Sequence, residues 1–200
     1  MSASSSPAST PLVRLADYRA PDWRVDSVEL AFDLGIDATE VAARLVLRGN
    51  ADAPVRLDGE ALELLAITLD GRALEAGADY ALDAAGLTLK GARDGSVLET
   101  RVRILPAANT ALEGLYLSGS RESGFLLTQC EAEGFRHITF YPDHPDVLAR
   151  YRVTLRADKA RFPVLLAGGN ADGRGELDGG RHWARRSEER RVGKECRLLC

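Results

Sequence analysis

No apolar run in the sequence approaches the roughly 18 residues that a helix needs to cross a bilayer. The opening stretch, MSASSSPASTP, lacks both the basic and the apolar segment of a secretory signal. The expectation is a cytoplasmic protein, with no membrane partner and with a disordered leader over residues 1–17. No long basic block is present of the kind that neutralises phosphates, so nucleic acid is not an expected partner. Cysteine is scarce and odd in number, and Cys130, Cys196 and Cys200 cannot form a closed disulfide set. Histidine is equally sparse. His137, His144 and His182 lack the i,i+4 spacing of an H-E-x-x-H helix and have no second ligand pair, so no metal site is expected in this chain.

What remains is enough for a folded core. The chain has 200 residues, 45% of them hydrophobic and 28% charged, with a net charge of -4. That suits one well-buried domain, or a domain and part of a second.

Apolar residues recur at every second position in most of the chain, the period of a strand with one buried face. Val28, Leu30, Phe32 and Leu34 form one such run, Val41, Ala43, Leu45 and Leu47 another, and the short Gly35 to Ala38 link between them predicts a hairpin. A third run, Leu62 to Leu69, ends at Asp70-Gly71, a pair that readily supplies the positive φ angles of a tight turn. Further strands are predicted at 80–82, 87–89, 96–105, 138–141, 150–157 and 164–167. A last hairpin pairs 173–177 with 181–184. No helical stripe exceeds about two turns. The pattern predicts an all-β fold, an antiparallel β-sandwich or a curved, saddle-like sheet, incomplete at its C-terminal end.

The composition breaks at Arg186, where RSEERRVGKEC is dense in charge with one isolated valine. Read back into codons, these residues can be spelled as something close to a short-read sequencing adapter. Residues 186–200 are therefore expected to be an artefactual tail and 18–185 a truncated domain, its last hairpin lacking a neighbour.

Between Pro106 and Tyr151 the alternation gives way to PAANTALEGLYLSG and TQCEAEGFRHITFYPDHPDVLARY, rich in Gly, Pro and Asn. Irregular loops on a β scaffold are where function tends to sit. Gln129, Glu131 and Glu133 alternate here as one solvent-facing edge of a strand would.

NTALEGLY and TQCEAEGFR, together with YRAPDW, LDGEALELL, ADKARFPVLLAGGN and GELDGGRHWA, resemble the N-terminal domain of bacterial aminopeptidase N. The likeness runs from Tyr18 to Ala184 in the family's order and spacing. Leu127, Pro142 and His144 depart from its usual residues. The resemblance implies a monomeric zinc aminopeptidase acting on peptides, whose zinc is bound by a C-terminal catalytic domain absent from this chain. The chain alone would then hold no zinc and have no activity. It also implies roles for two residues: Glu131 would bind the substrate's N-terminal amine beside a glutamate of a G-A-M-E-N motif, and Gln129 would line the pocket for the first side chain. Glu133 would be a structural or surface residue, and NTALEGLY would position the TQCEAE segment. The alternatives are a noncatalytic β-sandwich interaction module, or a related zinc hydrolase of the same clan.

Overall fold

A computed structural model describes residues 14–50 and 52–193. The first thirteen residues of the expected leader, and Cys196 and Cys200, lie outside the described residues.

The fold begins with the predicted hairpin, β1 (Trp23–Asp33) and β2 (Thr39–Gly49). All eight alternating apolar residues of this pair are buried. The Thr39 hydroxyl closes the turn, donating to the Gly35 carbonyl at 2.8 Å and accepting from its N–H at 3.1 Å. Next come β3 (Val55–Asp58), β4 (Glu63–Leu69) and β5 (Arg72–Ala73). Between β4 and β5, Asp70 and Gly71 have φ of 52° and 81°, as the sequence predicts for a tight turn. A second small hairpin, β6 (Tyr80–Asp83) and β7 (Gly86–Leu89), leads into β8 (Val97–Ile104). The remaining strands are β9 (Gly114–Ser118), β10 (Phe125–Gln129), β11 (Ala149–Asp158), β12 (Asn170–Leu177) and β13 (Arg181–Val192). Helix among the described residues is limited to three short 3-10 segments, Leu15–Asp17, Pro106–Ala108 and Gly134–His137.

The strands form three open sheets, so the all-β expectation holds. The large sheet has eight strands in the order β12-β13-β11-β1-β2-β8-β4-β5, and β3-β7-β6 and β9-β10 form the two smaller ones. One buried cluster joins them, with Leu30, Phe32, Leu45 and Leu98 from the large sheet meeting Leu57 and Leu87 from the three-stranded sheet and Leu115 and Leu126 from the two-stranded one.

Four sequence expectations need correction. The large sheet is not wholly antiparallel, because β1 and β11 run parallel from Ser27 opposite Arg150 to Asp33 opposite Arg156. A parallel pair needs a long crossover, here all the chain between the two strands, and such a distant pairing leaves no local sequence signal. Residues 138–141 are not a strand. Ile138, Thr139, Phe140 and Tyr141 are all buried, and only Tyr141 makes a bridge, to Asp58. A run buried on every side looks like a strand by composition without pairing as one. Residues 164–167 likewise form no strand, and Val164 and Leu166 are exposed. Finally, the last hairpin runs past Ala184. Arg186, Ser187 and Glu188 lie opposite Val153, Arg152 and Tyr151 of β11, because a strand edge accepts backbone N–H and C=O groups whatever side chains they carry.

The two-stranded sheet and the 3-10 segment after it meet through two glycines. A Cβ on Gly134 would lie 2.1 Å from the Gln129 carbonyl, and one on Gly114 would lie 2.6 Å from the His137 Cβ. Gly114 also has a φ of 70°, which favours glycine. Below them the Phe135 ring packs edge-on against Tyr141, with centroids 4.9 Å apart, and against Tyr151 at 6.2 Å.

Gly134→Ala should destabilise the domain by about 1–3 kcal/mol, as an overpacked site with a backbone neighbour does, and a urea melt checks it. Acid should weaken the outer hairpins. Hydrogen bonds from Arg72 and Arg56 hold the Asp79 and Asp83 carboxyls at about 2, against an ordinary 3.8. Because both titrate lower in the folded state, their contribution is present above the unfolded value and is lost as pH falls toward 2. The urea midpoint should therefore drop between pH 4 and pH 2, and the drop should shrink in Asp79→Asn/Asp83→Asn.

Candidate functional site

Gln129 is the last residue of β10, and the strand's alternation carries one step beyond it. Gln129 and Glu131 are exposed while Cys130 between them is 4% exposed and packs inward. After Cys130 the chain turns through Glu131, Ala132 and Glu133, with the Glu131–Ala132 peptide cis. The Gly134 N–H donates to the Cys130 carbonyl at 3.0 Å, which closes the turn. Across it, the Gln129 side-chain amide donates to the Glu131 carbonyl at 3.0 Å. The two residues singled out by sequence are thus brought together by a direct bond, with Glu131 at the tip.

Behind the turn lies a network that sequence reasoning missed. The backbone N–H and the Nε–H of Arg136 both donate to Asp143 Oδ2 at 3.1 Å. Asp143 in turn donates its backbone N–H to Asp58 Oδ2 at 2.8 Å, and Asp58 exchanges backbone hydrogen bonds of 2.8 and 3.0 Å with Tyr141. Glu60 donates its N–H to the Arg136 carbonyl at 3.0 Å. The Arg136 side chain is 16% exposed and that of Asp143 0%. Burial opposes the guanidinium's charge, but the hydrogen bond to Asp143 and the nearby charges of Asp58, Glu133 and Asp143 outweigh it and hold Arg136 above its ordinary range. The available signal was an aspartate, Asp143, next to a run of apolar and aromatic residues, since a buried carboxylate needs a partner.

NTALEGLY lies alongside. Asn109 Nδ2 donates to the carbonyls of Glu113 at 2.6 Å and Leu115 at 3.0 Å, pinning the approach to β9. His137 Nε2 lies 3.3 Å from Glu113 Oε2 and 3.9 Å from Glu60 Oε2, while Arg136 Nη1 lies 3.5 Å from Glu60 and 3.4 Å from Glu133. Of the four glutamates around the turn, Glu60, Glu113 and Glu133 therefore sit against a basic side chain. The Glu131 carboxylate has no ion-pair partner among the described residues, and it is exposed. Such a carboxylate can accept hydrogen bonds from an incoming cation without first breaking an internal pair.

The three histidines do not converge. His182 Nε2 lies 2.7 Å from the Phe162 carbonyl and His144 is exposed, both apart from the turn in their contacts. Among the described residues no group of three His, Cys, Asp or Glu is arranged to hold a metal ion, and none of their helices is long and apolar enough to cross a membrane.

Comparison with known proteins identifies the family of the domain. Residues 87–191 match the family described as the peptidase M1 N-terminal domain, a span that contains Gln129, Glu131 and Arg136. The chain is 49% identical over 178 residues to aminopeptidase N of Caulobacter vibrioides, covering 88% of this chain and 20% of that protein. It is 46% identical over 169 residues to aminopeptidase N of Escherichia coli, covering 84% of this chain and 19% of that one. The chain thus spans about a fifth of the length of these relatives. Among solved structures, Legionella pneumophila aminopeptidase A in complex with aspartic acid superposes with a TM-score of 0.82 at 28% identity, over 94% of this chain and 22% of that one. The chain belongs to the peptidase M1 N-terminal domain family.

Proposed function

We propose that the chain is the part of a zinc-dependent aminopeptidase that receives the free amine of a peptide substrate, with Glu131 as the acceptor. The observation that carries this reading is the exposed Glu131 carboxylate, which has no ion-pair partner among the described residues, while Glu60, Glu113 and Glu133 each sit against a basic side chain. An α-ammonium, with a pKa of about 8, is largely charged at neutral pH and is fixed in place by carboxylate acceptors. Gln129, tied to the same turn, would line the pocket for the first side chain. The relatives named as aminopeptidases, and the free amino acid in the Legionella complex, support a substrate of this class.

The residues of this chain do not fit a zinc site. The sequence has no H-E-x-x-H, and the described residues offer no ligand cluster. In this proposal the metal and the hydrolytic step belong to the part of the relatives' length that this chain does not span, and the chain by itself has no peptidase activity. Its own contribution is to hold and orient the substrate's N-terminus.

The test is kinetic. In the full-length enzyme, Glu131→Ala should lower kcat/KM for peptides with a free N-terminus by about 10- to 100-fold, the worth of one charge-assisted hydrogen bond. Steady-state rates on aminoacyl p-nitroanilides measure this directly. Kinetics equal to those of the unaltered enzyme would contradict the role given to Glu131.

A further inference from the structure

The Glu131 turn is short and exposed, so something must fix its direction. We propose that Arg136 is a positioning residue for Glu131: through Asp143 and Glu133 it ties the turn to β3, so that the carboxylate is held ready for the substrate's amine. The inference rests on the amine-binding reading of Glu131.

The turn is held at its two ends. Its base is fixed by burial, with Cys130 packed inward and Gly134 pressed against the Gln129 carbonyl. Its outer limb, Ala132 and Glu133, is exposed. That limb is restrained by the Glu133 carboxylate, 3.4 Å from Arg136 Nη1. An exposed pair alone would restrain little. Here the cationic partner is mostly buried and cannot wander. The backbone and Nε of Arg136 are both bonded to one oxygen of a fully buried aspartate, and its carbonyl accepts from Glu60.

Asp143 is anchored to Asp58, at the end of β3, and that strand is paired with β7 from Val55 to Asp58. The chain of contacts from the three-stranded sheet to Glu133 is therefore continuous, and it ends two residues from Glu131. Arginine is required for it by geometry. Its Nε and Nη1 reach Asp143 and Glu133 at once from a planar fork, which a single lysine ammonium cannot do.

A double-mutant cycle in the full-length enzyme tests this. Arg136→Lys retains the charge and should raise KM for aminoacyl p-nitroanilides by about tenfold, with a smaller change in kcat, in enzyme whose thermal midpoint shows that it is folded. Glu131→Gln should raise KM on its own. In the double variant Arg136→Lys should add little, because there is no longer a carboxylate to position. A purely structural role would instead lower the thermal midpoint and the active fraction, and its effect would multiply undiminished onto Glu131→Gln. That multiplicative result, or an unchanged KM in Arg136→Lys, overturns the positioning role while leaving Glu131 as amine acceptor. If Glu131→Gln itself leaves KM unaltered, the amine-binding reading falls and the positioning role with it.

Discussion

The buried bond between Arg136 and Asp143 is the constraint on which the site depends. Taking one partner away from such a pair typically costs about 3–5 kcal/mol, because the other is left as an uncompensated charge. The fold avoids that by surrounding the pair with further bonds, to Asp58, Glu60 and Glu133. The result is a rigid joint where three chain segments meet: the end of β3, the 3-10 segment Gly134–His137, and the buried run from Ile138 to Asp143.

The large sheet contributes the platform and the small sheets the precision. Phe135 sits between the joint and the large sheet, its ring against Tyr141 on one side and Tyr151 of β11 on another. The hydroxyls of those tyrosines lie 3.2 Å apart, so even the polar atoms of this aromatic group are accounted for within the core. On the other side, Gly114 and Gly134 allow β9 and the 3-10 segment to approach more closely than any side chain would permit. Glu131 is exposed, yet every element beneath it is packed.

Most of the fold was legible because strands with one buried face write their period into the sequence. Val28 to Leu34 and Val41 to Leu47 needed nothing more, and Asp70-Gly71 marked its own turn. The parallel pairing of β1 with β11 was not legible, since nothing local distinguishes a strand that will find a distant parallel neighbour. Nor was the length of β13, where Arg186, Ser187 and Glu188 stand in place of an apolar alternation and still lie opposite Val153, Arg152 and Tyr151 of β11.

The site divides in the same way. Gln129 and Glu131 could be named through a family resemblance, although their alternation by itself was equally that of an ordinary exposed strand edge. Arg136, Asp143 and Asp58 escaped, because a pair of charges joined through the core leaves no period and no spacing to read. Their arrangement leads to the central claim, that a packed joint holds one carboxylate in place for a substrate's amine. The most direct measurement is a crystal structure of the full-length enzyme with a free amino acid bound. The account predicts the α-ammonium within hydrogen-bond distance of Glu131, with the turn in the conformation described above. An ammonium bound elsewhere, with Glu131 still facing solvent, would contradict it.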